Sequence, residues 1–222
     1  MSRTVRAAVA VAAWLLLAGS AVPAGAAAPS CALSPAQWTK ALPSLLPNLS
    51  ADGMTLVSQT TLADPFPKQG MTWLANARYV QGQLGPVQVF VNLYAYRTPR
   101  LAAASERAAA VLSIPLRELH EVAFAPAARR PAPNARLLYT VLRAGKGKPP
   151  SSELVWVLWS TGTLVTTVSI GAEAPYASVA NGTSAGFFNR TRRTLAKVAL
   201  SAALLVAVDE YPVLAACATH NA

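Results

Sequence analysis

Apolar and polar residues alternate along the middle of the chain, and this pattern is typical of β-strands. It is clearest over 87–96 (VQVFVNLYAY), where three valines and Leu93 fall on one face and three aromatic residues fall on the other. Similar stretches predict strands over 54–61, 71–80, 136–143, 154–159 and 163–170. Short turn-like segments join 71–80 to 87–96 and 154–159 to 163–170, which predicts two hairpins.

Helical spacing appears in three other stretches. Ser34, Pro35 and Gln37 form a capping box with proline at the first helical position, so a short helix is expected there, with Pro43 kinking or ending it. Thr98 can cap a second helix that begins at Pro99. The third and longest helix is predicted to begin at Thr183 or Ser184 and to run to about Asp209.

Each predicted helix has one apolar stripe at helical spacing. The stripes are Trp38, Leu42, Leu45 and Leu46 in the first helix, Leu101, Ala104, Ala108, Val111 and Leu112 in the second, and Phe188, Leu195, Val198, Ala202, Leu205 and Val206 in the third. These stripes are the surfaces that we expect to pack on the sheet.

The connections between these elements contain turn and breaker residues. The run 64–67 (DPFP) is expected to end the preceding strand in a loop, because proline cannot donate to a strand ladder. The segment 116–124 fits either a strand or a short helix, and 171–183 is predicted to be a loop. The order of elements predicts the α+β class: one domain with an antiparallel sheet built from hairpins and helices packed on it.

Residues 1–26 have the pattern of a secretory signal peptide. Two arginines precede the apolar run 7–18 (AAVAVAAWLLLA), and Ala24–Gly25–Ala26 supplies small residues for cleavage. The alternatives are a membrane anchor, for which the apolar run is short, and a lipid anchor at Cys31, for which the usual spacing is missing. We therefore expect a mature domain over 27–222 that is exported, whether secreted, periplasmic or associated with the cell envelope.

The chain has two cysteines, Cys31 and Cys217, near the two ends of this mature domain. An exported protein with a single pair of cysteines is expected to form a disulfide, which here would join the termini. Two free thiols are the alternative. No C-x-x-C pair is present, which argues against a redox or zinc site.

Basic residues outnumber acidic ones, 19 to 9, and most of the basic residues are arginine. Together with the many alanines, this composition suggests a GC-rich bacterial genome. Arg190, Arg193 and Lys197 cluster on one face of the last predicted helix. Such a basic patch fits an anionic envelope polymer or a membrane surface, whereas the lack of interleaved aromatic residues disfavours nucleic acid. The alternative is that the charge serves only solubility.

The sequence contains no strong catalytic or cofactor motif. The pattern G-x-S-x-G occurs once, over 182–186 (GTSAG), at the predicted start of the last helix. S-x-x-K does not occur and no P-loop is complete, so we expect no cofactor and no metal site. His120, which precedes Glu121, is the one credible general base, and its alternative is an ordinary exposed histidine.

The leading hypothesis is an exported binding or interaction protein without catalytic activity and with an unknown ligand. Its ligand loops would be 64–70 and 171–183, the latter with Glu173, Tyr176 and Asn181. The alternatives are a secreted hydrolase with a dispersed site around His120 and, more weakly, a protein that binds anionic surfaces through its basic patch.

Overall fold

The alternating stretches of the sequence form one antiparallel sheet in the computed structural model, which describes residues 33–81, 87–112, 114, 118–125, 128–143, 150–173, 196–210 and 212–214. The strands are β1 (Met54–Phe66), β2 (Met71–Gln81), β3 (Val87–Tyr96), β4 (His120–Val122), β5 (Arg136–Arg143), β6 (Pro150–Thr161) and β7 (Leu164–Glu173). They lie in the order β1-β2-β3-β7-β6-β5-β4. The predicted class, an antiparallel sheet with helices packed on it, is confirmed, as are both predicted hairpins.

The alternation within each strand separates the two faces of this sheet. The inner face carries the larger core, which includes Trp73, Val91, Leu93, Val157 and Val168. The outer face carries a smaller core, which includes Tyr96, Leu138, Trp156, Leu158 and Val165. Both faces of the central strands are apolar because helices cover both of them.

The first helix, α1 (Pro35–Leu45), covers the inner face at β2. Its predicted capping box is present, and the Trp38 ring stacks on the Trp73 ring with centroids 5.7 Å apart. Pro43 lies inside the helix two residues before its end, so it neither breaks the helix nor prevents Leu42 and Leu45 from being buried.

The second helix, α2 (Pro99–Arg107), covers the outer face over β6 and β7. Thr98 caps it as predicted, but three residues of the predicted apolar stripe, Leu101, Ala104 and Ala108, are exposed. The other two, Val111 and Leu112, lie beyond the end of the helix and are partly buried against the smaller core. The buried residues are instead Ala102, Ser105 and Glu106. The physical reason is a polar contact: the hydroxyls of Tyr96 and Ser105 lie 2.6 Å apart and bring the small-residue side of the helix onto the sheet.

The C-terminal helix, α3 (196–210), packs its small residues on the inner face beside α1. Its buried residues are Ala199, Ala202, Ala203, Val206 and Glu210. The predicted start of this helix and its stripe residues Phe188 and Leu195 lie outside the described residues. Within the part of the chain that the structure describes, no helix is long and apolar enough to cross a bilayer.

Strand β1 does not end where the sequence predicted. It continues through the run 64–67 as far as Phe66, with a register shift between Ala63 and Phe66. Asp64 has a φ of 45°, so Asp64 and Pro65 form a bulge that leaves the ladder. Proline is tolerated there because β1 is an edge strand and the bulged residues need no partner.

Two other connections differ in detail from the prediction. The segment 116–124, for which the sequence allowed either a strand or a short helix, contains the short edge strand β4. Strand β7 extends to Glu173, so the first three residues of the predicted loop 171–183 belong to the sheet. Each of these residues continues a ladder with β3 or β6, and that pairing overrides the local turn signal of Gly171.

Candidate functional site

Part of the outer face is not covered by α2. On β2 and β3 the outward side chains are half-buried, whereas on β6 and β7 they are buried under α2 and the chain that follows it. We call four of these half-buried residues the open strip: Asn76, Arg78, Phe90 and Asn92. The register pairs Asn76 with Asn92 and Arg78 with Phe90, so the four side chains form a compact patch.

A row of polar side chains crosses three strands in this strip. Nδ2 of Asn76 donates to Oδ1 of Asn92, and Nδ2 of Asn92 donates to Oγ1 of Thr167 over 3.1 Å. The buried Thr167 therefore ties the row to the covered half of the sheet. A side chain that is bonded on both sides keeps one rotamer, so Asn92 presents a fixed amide to the surface.

Arg78 is the charged member of the strip. Its Nε is buried and has no hydrogen-bond acceptor among the described residues. Across the strands it lies between Ser58 of β1 and Phe90 of β3. The only carboxylate on β1, β2 and β3 is that of Asp64, which lies in the bulge at the far end of β1. The guanidinium charge is therefore not neutralised on these three strands.

Arg136, on the same face at the other side of the sheet, has the opposite environment. Its Nε and Nη2 donate to Oε2 of Glu121 over 3.1 and 2.8 Å, and its Nη1 donates to the carbonyl oxygens of Glu106 and Arg107 over 3.3 and 3.0 Å. Burial raises the pKa of Glu106, and the charge of Arg136 opposes that shift. This arginine closes the C-terminal end of α2 and is a structural residue.

His120 does not sit in a catalytic arrangement. It lies exposed on β4, with its ring stacked on that of Tyr139 at a centroid distance of 4.9 Å. The neighbouring Glu121 points to the opposite face of the strand and pairs with Arg136. The carboxylate of Glu121 is therefore held by Arg136 on the face opposite the His120 ring. The described residues contain no cluster of His, Cys, Asp or Glu that could hold a metal ion.

Most of the other predicted site residues lie outside the described part of the chain. These are Cys31, Cys217, Tyr176, Asn181, Arg190 and Arg193. Glu173 is the last residue of β7, and its backbone is placed in the ladder opposite Ser152. Lys197 is exposed on α3. The disulfide, the basic patch and the ligand loop around Tyr176 therefore stay predictions.

A second polar group lies in the inner core. Glu210 is fully buried at the end of α3, where it accepts a hydrogen bond from Nε1 of Trp159 over 3.0 Å and bonds the hydroxyl of Thr166. Burial raises the pKa of its carboxyl to about 7, although both hydrogen bonds oppose the shift. The surrounding core is otherwise apolar, so this carboxyl fastens α3 to the sheet rather than facing a ligand.

Sequence reasoning missed the open strip and the role of Glu210. The sequence of β2 contained a signal for the open strip, because the polar residues Asn76 and Arg78 alternate with the small buried residues Ala75 and Ala77. Pattern alone could not show that the covering helix would stop short of them. In the sequence, the pair Asp209 and Glu210 indicated only the end of a helix. The hydrogen-bond partners of the buried Glu210 side chain, Trp159 and Thr166, lie far away in sequence.

Comparisons with known proteins add little to this picture. No family model matches the sequence, and no curated protein matches it either. Among solved structures, the chain is similar to the extracellular domain of PknH from Mycobacterium tuberculosis, with 13% sequence identity and a TM-score of 0.40. The match covers 68% of this chain and 94% of that domain.

Proposed function

We propose that this chain is an exported binding protein without catalytic activity, and that its open strip contacts an anionic envelope polymer. The observation that carries the proposal is Arg78, a half-buried cation whose Nε lacks an acceptor among the described residues and whose strands offer no nearby carboxylate. A buried donor without a partner is costly, and such groups in native proteins call for an explanation. A carboxylate or phosphate on the ligand supplies the counter-charge that these strands lack for the guanidinium.

The residues around Arg78 favour a polymer with hydroxyl groups as well as charge. Asn76 and Asn92 provide amides, which can both donate and accept hydrogen bonds. Phe90 provides a half-buried ring at the position opposite Arg78 in the ladder. Ser58 and Thr60 of β1 continue the same face with exposed hydroxyls. This combination of one cation, amides, hydroxyls and an aromatic ring suits an acidic glycan or a polyol phosphate.

The test is a binding measurement on the mature protein with two immobilised polymers, polygalacturonate for carboxylate and teichoic acid for phosphate. Arg78→Met is compared with Arg100→Met, which removes the same charge from an exposed position on α2. Loss of a charge-assisted hydrogen bond costs about 1.5–3 kcal/mol, so Arg78→Met should weaken binding about tenfold or more, whereas Arg100→Met should change it less than about twofold.

Equal losses in the two variants would mean that only net charge matters, and no loss in Arg78→Met would reject the open strip. Arg78→Lys separates charge from geometry, because lysine keeps the charge and loses the planar fork. The alternative site on the last helix is tested by Lys197→Met in the same assay. If Lys197→Met weakens polymer binding and Arg78→Met does not, and if Arg190→Met and Arg193→Met weaken it further, the predicted basic patch is the binding site.

The hydrolase alternative gains no support from the described geometry. A general base needs a proton donor within hydrogen-bond reach and a group that orients it. His120 instead stacks on Tyr139, and Glu121 is engaged by Arg136. A hydrolase assay in which His120→Ala abolished turnover while leaving polymer binding intact would reverse this conclusion.

A further inference from the structure

We propose that two copies of this chain associate by antiparallel pairing of their β1 edges, which joins the two sheets into one. The proposal rests on the edge itself and is independent of the proposed function. Strand β1 is 13 residues long and is the first strand of the sheet order, so its outer backbone groups face no neighbouring strand of the described sheet.

The edge is long, accessible and regular. Every residue of β1 from Thr55 to Asp64 is exposed. Between the register shift near Val57 and the bulge at Asp64, the pairing of 58–63 with β2 is uninterrupted. Along these six residues, alternate residues direct their backbone donors and acceptors away from β2, and such an edge is a template for another strand.

Features that protect sheet edges are missing from this segment. Residues 58–63 (SQTTLA) contain no charged residue, no proline and no bulge. The opposite edge of the sheet is different: β4 has only three residues, and its central Glu121 is paired with Arg136. Natural proteins block edges by shortness, charge, bulges or proline. Strand β4 is blocked in this way, and the regular part of β1 is not.

The composition of β1 favours a second copy as the partner. Large apolar side chains are exposed at both ends of the strand: Leu56 (42%) and Val57 (50%) at the start, and Leu62 (53%) and Phe66 (51%) at the end. Antiparallel pairing centred on Thr60 places Ser58 opposite Leu62 and the two Thr60 residues opposite each other, so no charged side chains meet along 58–62. The middle of the strand, Ser58 to Thr61, is polar and would lie at the two-fold axis.

Charge points to the same edge. The chain carries a formal net charge of +10, so two copies repel each other over most of their surfaces. An uncharged strand is the surface across which this repulsion is smallest. With neighbouring strands about 4.8 Å apart, the pairing would also bring the two open strips onto one continuous outer face.

The experiment measures the mass of the mature protein by sedimentation from about 1 to 100 µM, because association follows mass action. We expect a concentration-dependent dimer. Thr60→Lys places two like charges at the two-fold axis and should give a monomer, and Thr60→Glu should do the same. The matched control is Ala104→Lys, at an exposed position on α2, which packs over β6, β7 and β3; this variant should stay dimeric.

An equimolar mixture of Thr60→Lys and Thr60→Glu should restore the dimer, since opposite charges then meet at the axis. Far-ultraviolet circular dichroism confirms that each variant is folded. A wild-type protein that stays monomeric throughout the concentration range would overturn the proposal. So would a dimer that survives both Thr60 variants, because that dimer uses another surface.

Discussion

Nε1 of Trp159 donates a hydrogen bond to Oε2 of Glu210 over 3.0 Å, and both side chains are buried. The other carboxyl oxygen of Glu210 bonds the hydroxyl of Thr166 on the adjacent strand. The end of α3 is thereby joined to β6 and β7 by a polar contact inside an apolar core. Its strength depends on the protonation of one carboxyl.

The stability of the protein should therefore fall as pH rises through neutrality. Burial raises the pKa of Glu210 from 4.5 to about 7 in the folded state, whereas the unfolded chain loses this proton at the ordinary value. The stabilising contribution is complete below about pH 4.5 and is lost as the pH rises through 7. The loss is at most about 3 kcal/mol, and urea unfolding between pH 5 and pH 8 measures it.

Glu210→Gln removes the titration and should flatten this part of the pH profile. The neighbouring Asp209→Asn is the control. The pKa of Asp209 is also raised by burial, but this residue is only half-buried, so its variant should keep most of the wild-type slope. An unchanged slope in Glu210→Gln would show that another group causes the pH dependence.

Asn92 should be the most sensitive residue of the open strip. Asn92→Ala breaks the bonds to Asn76 and Thr167 together and leaves two polar groups without their partner. We expect a loss of about 1–3 kcal/mol in the free energy of unfolding. Asn76→Ala breaks one bond at the more exposed end of the row and should cost less. A double-mutant cycle of the two positions measures their coupling, and independent effects would argue against a continuous row.

Two glycines with left-handed backbones provide a matched pair. Gly53 and Gly70 have φ values of 71° and 76°, so Gly→Ala at either position costs about 1–2 kcal/mol for the backbone alone. An added Cβ at Gly53 meets nothing within 4 Å, whereas at Gly70 it lies 2.5 Å from Cδ1 of Leu101. Gly70→Ala should therefore be the more destabilising substitution in thermal or urea unfolding.

The difference between the two glycine variants should come from the contact with α2. Adding Leu101→Ala to Gly70→Ala removes the clashing methyl group and should recover part of the loss. Leu101 is partly exposed, so Leu101→Ala alone should have a small effect. If Gly53→Ala and Gly70→Ala are equally destabilising, the Leu101 side chain moves aside at no cost.

The predicted disulfide between Cys31 and Cys217 is tested by mass. We expect protein exported by a native host to begin after residue 26 and to bind no alkylating reagent until it is reduced. Reduction should lower the free energy of unfolding by about 2–5 kcal/mol, since the bond closes almost the whole mature chain. A product that retains Met1 contradicts the predicted cleavage, and one that is alkylated twice without reduction contradicts the predicted disulfide.

Comparison of individual elements shows where sequence patterns were sufficient. Strands 87–96 and 136–143 were predicted with the bounds that the structure shows, and the capping residues Ser34 and Thr98 begin α1 and α2. The buried side of α2 was predicted wrongly, because the contact of Ser105 with Tyr96 outweighs the apolar stripe. Strand β1 continues past Pro65 because the strand lies at the edge of the sheet, where the backbone N–H that proline lacks is not needed for pairing.

By itself, the sequence determined the alternation of the strands, the hairpins and the starts of the first two helices. These features depend on neighbouring residues, whose backbone preferences and side-chain periods are local. Tertiary structure alone decided that Glu210 is buried, that Arg78 lies on a part of the sheet that α2 does not cover, and that β1 is an edge of the described sheet. Each of these outcomes depends on which distant segment packs beside the residue, and no local pattern contains that information.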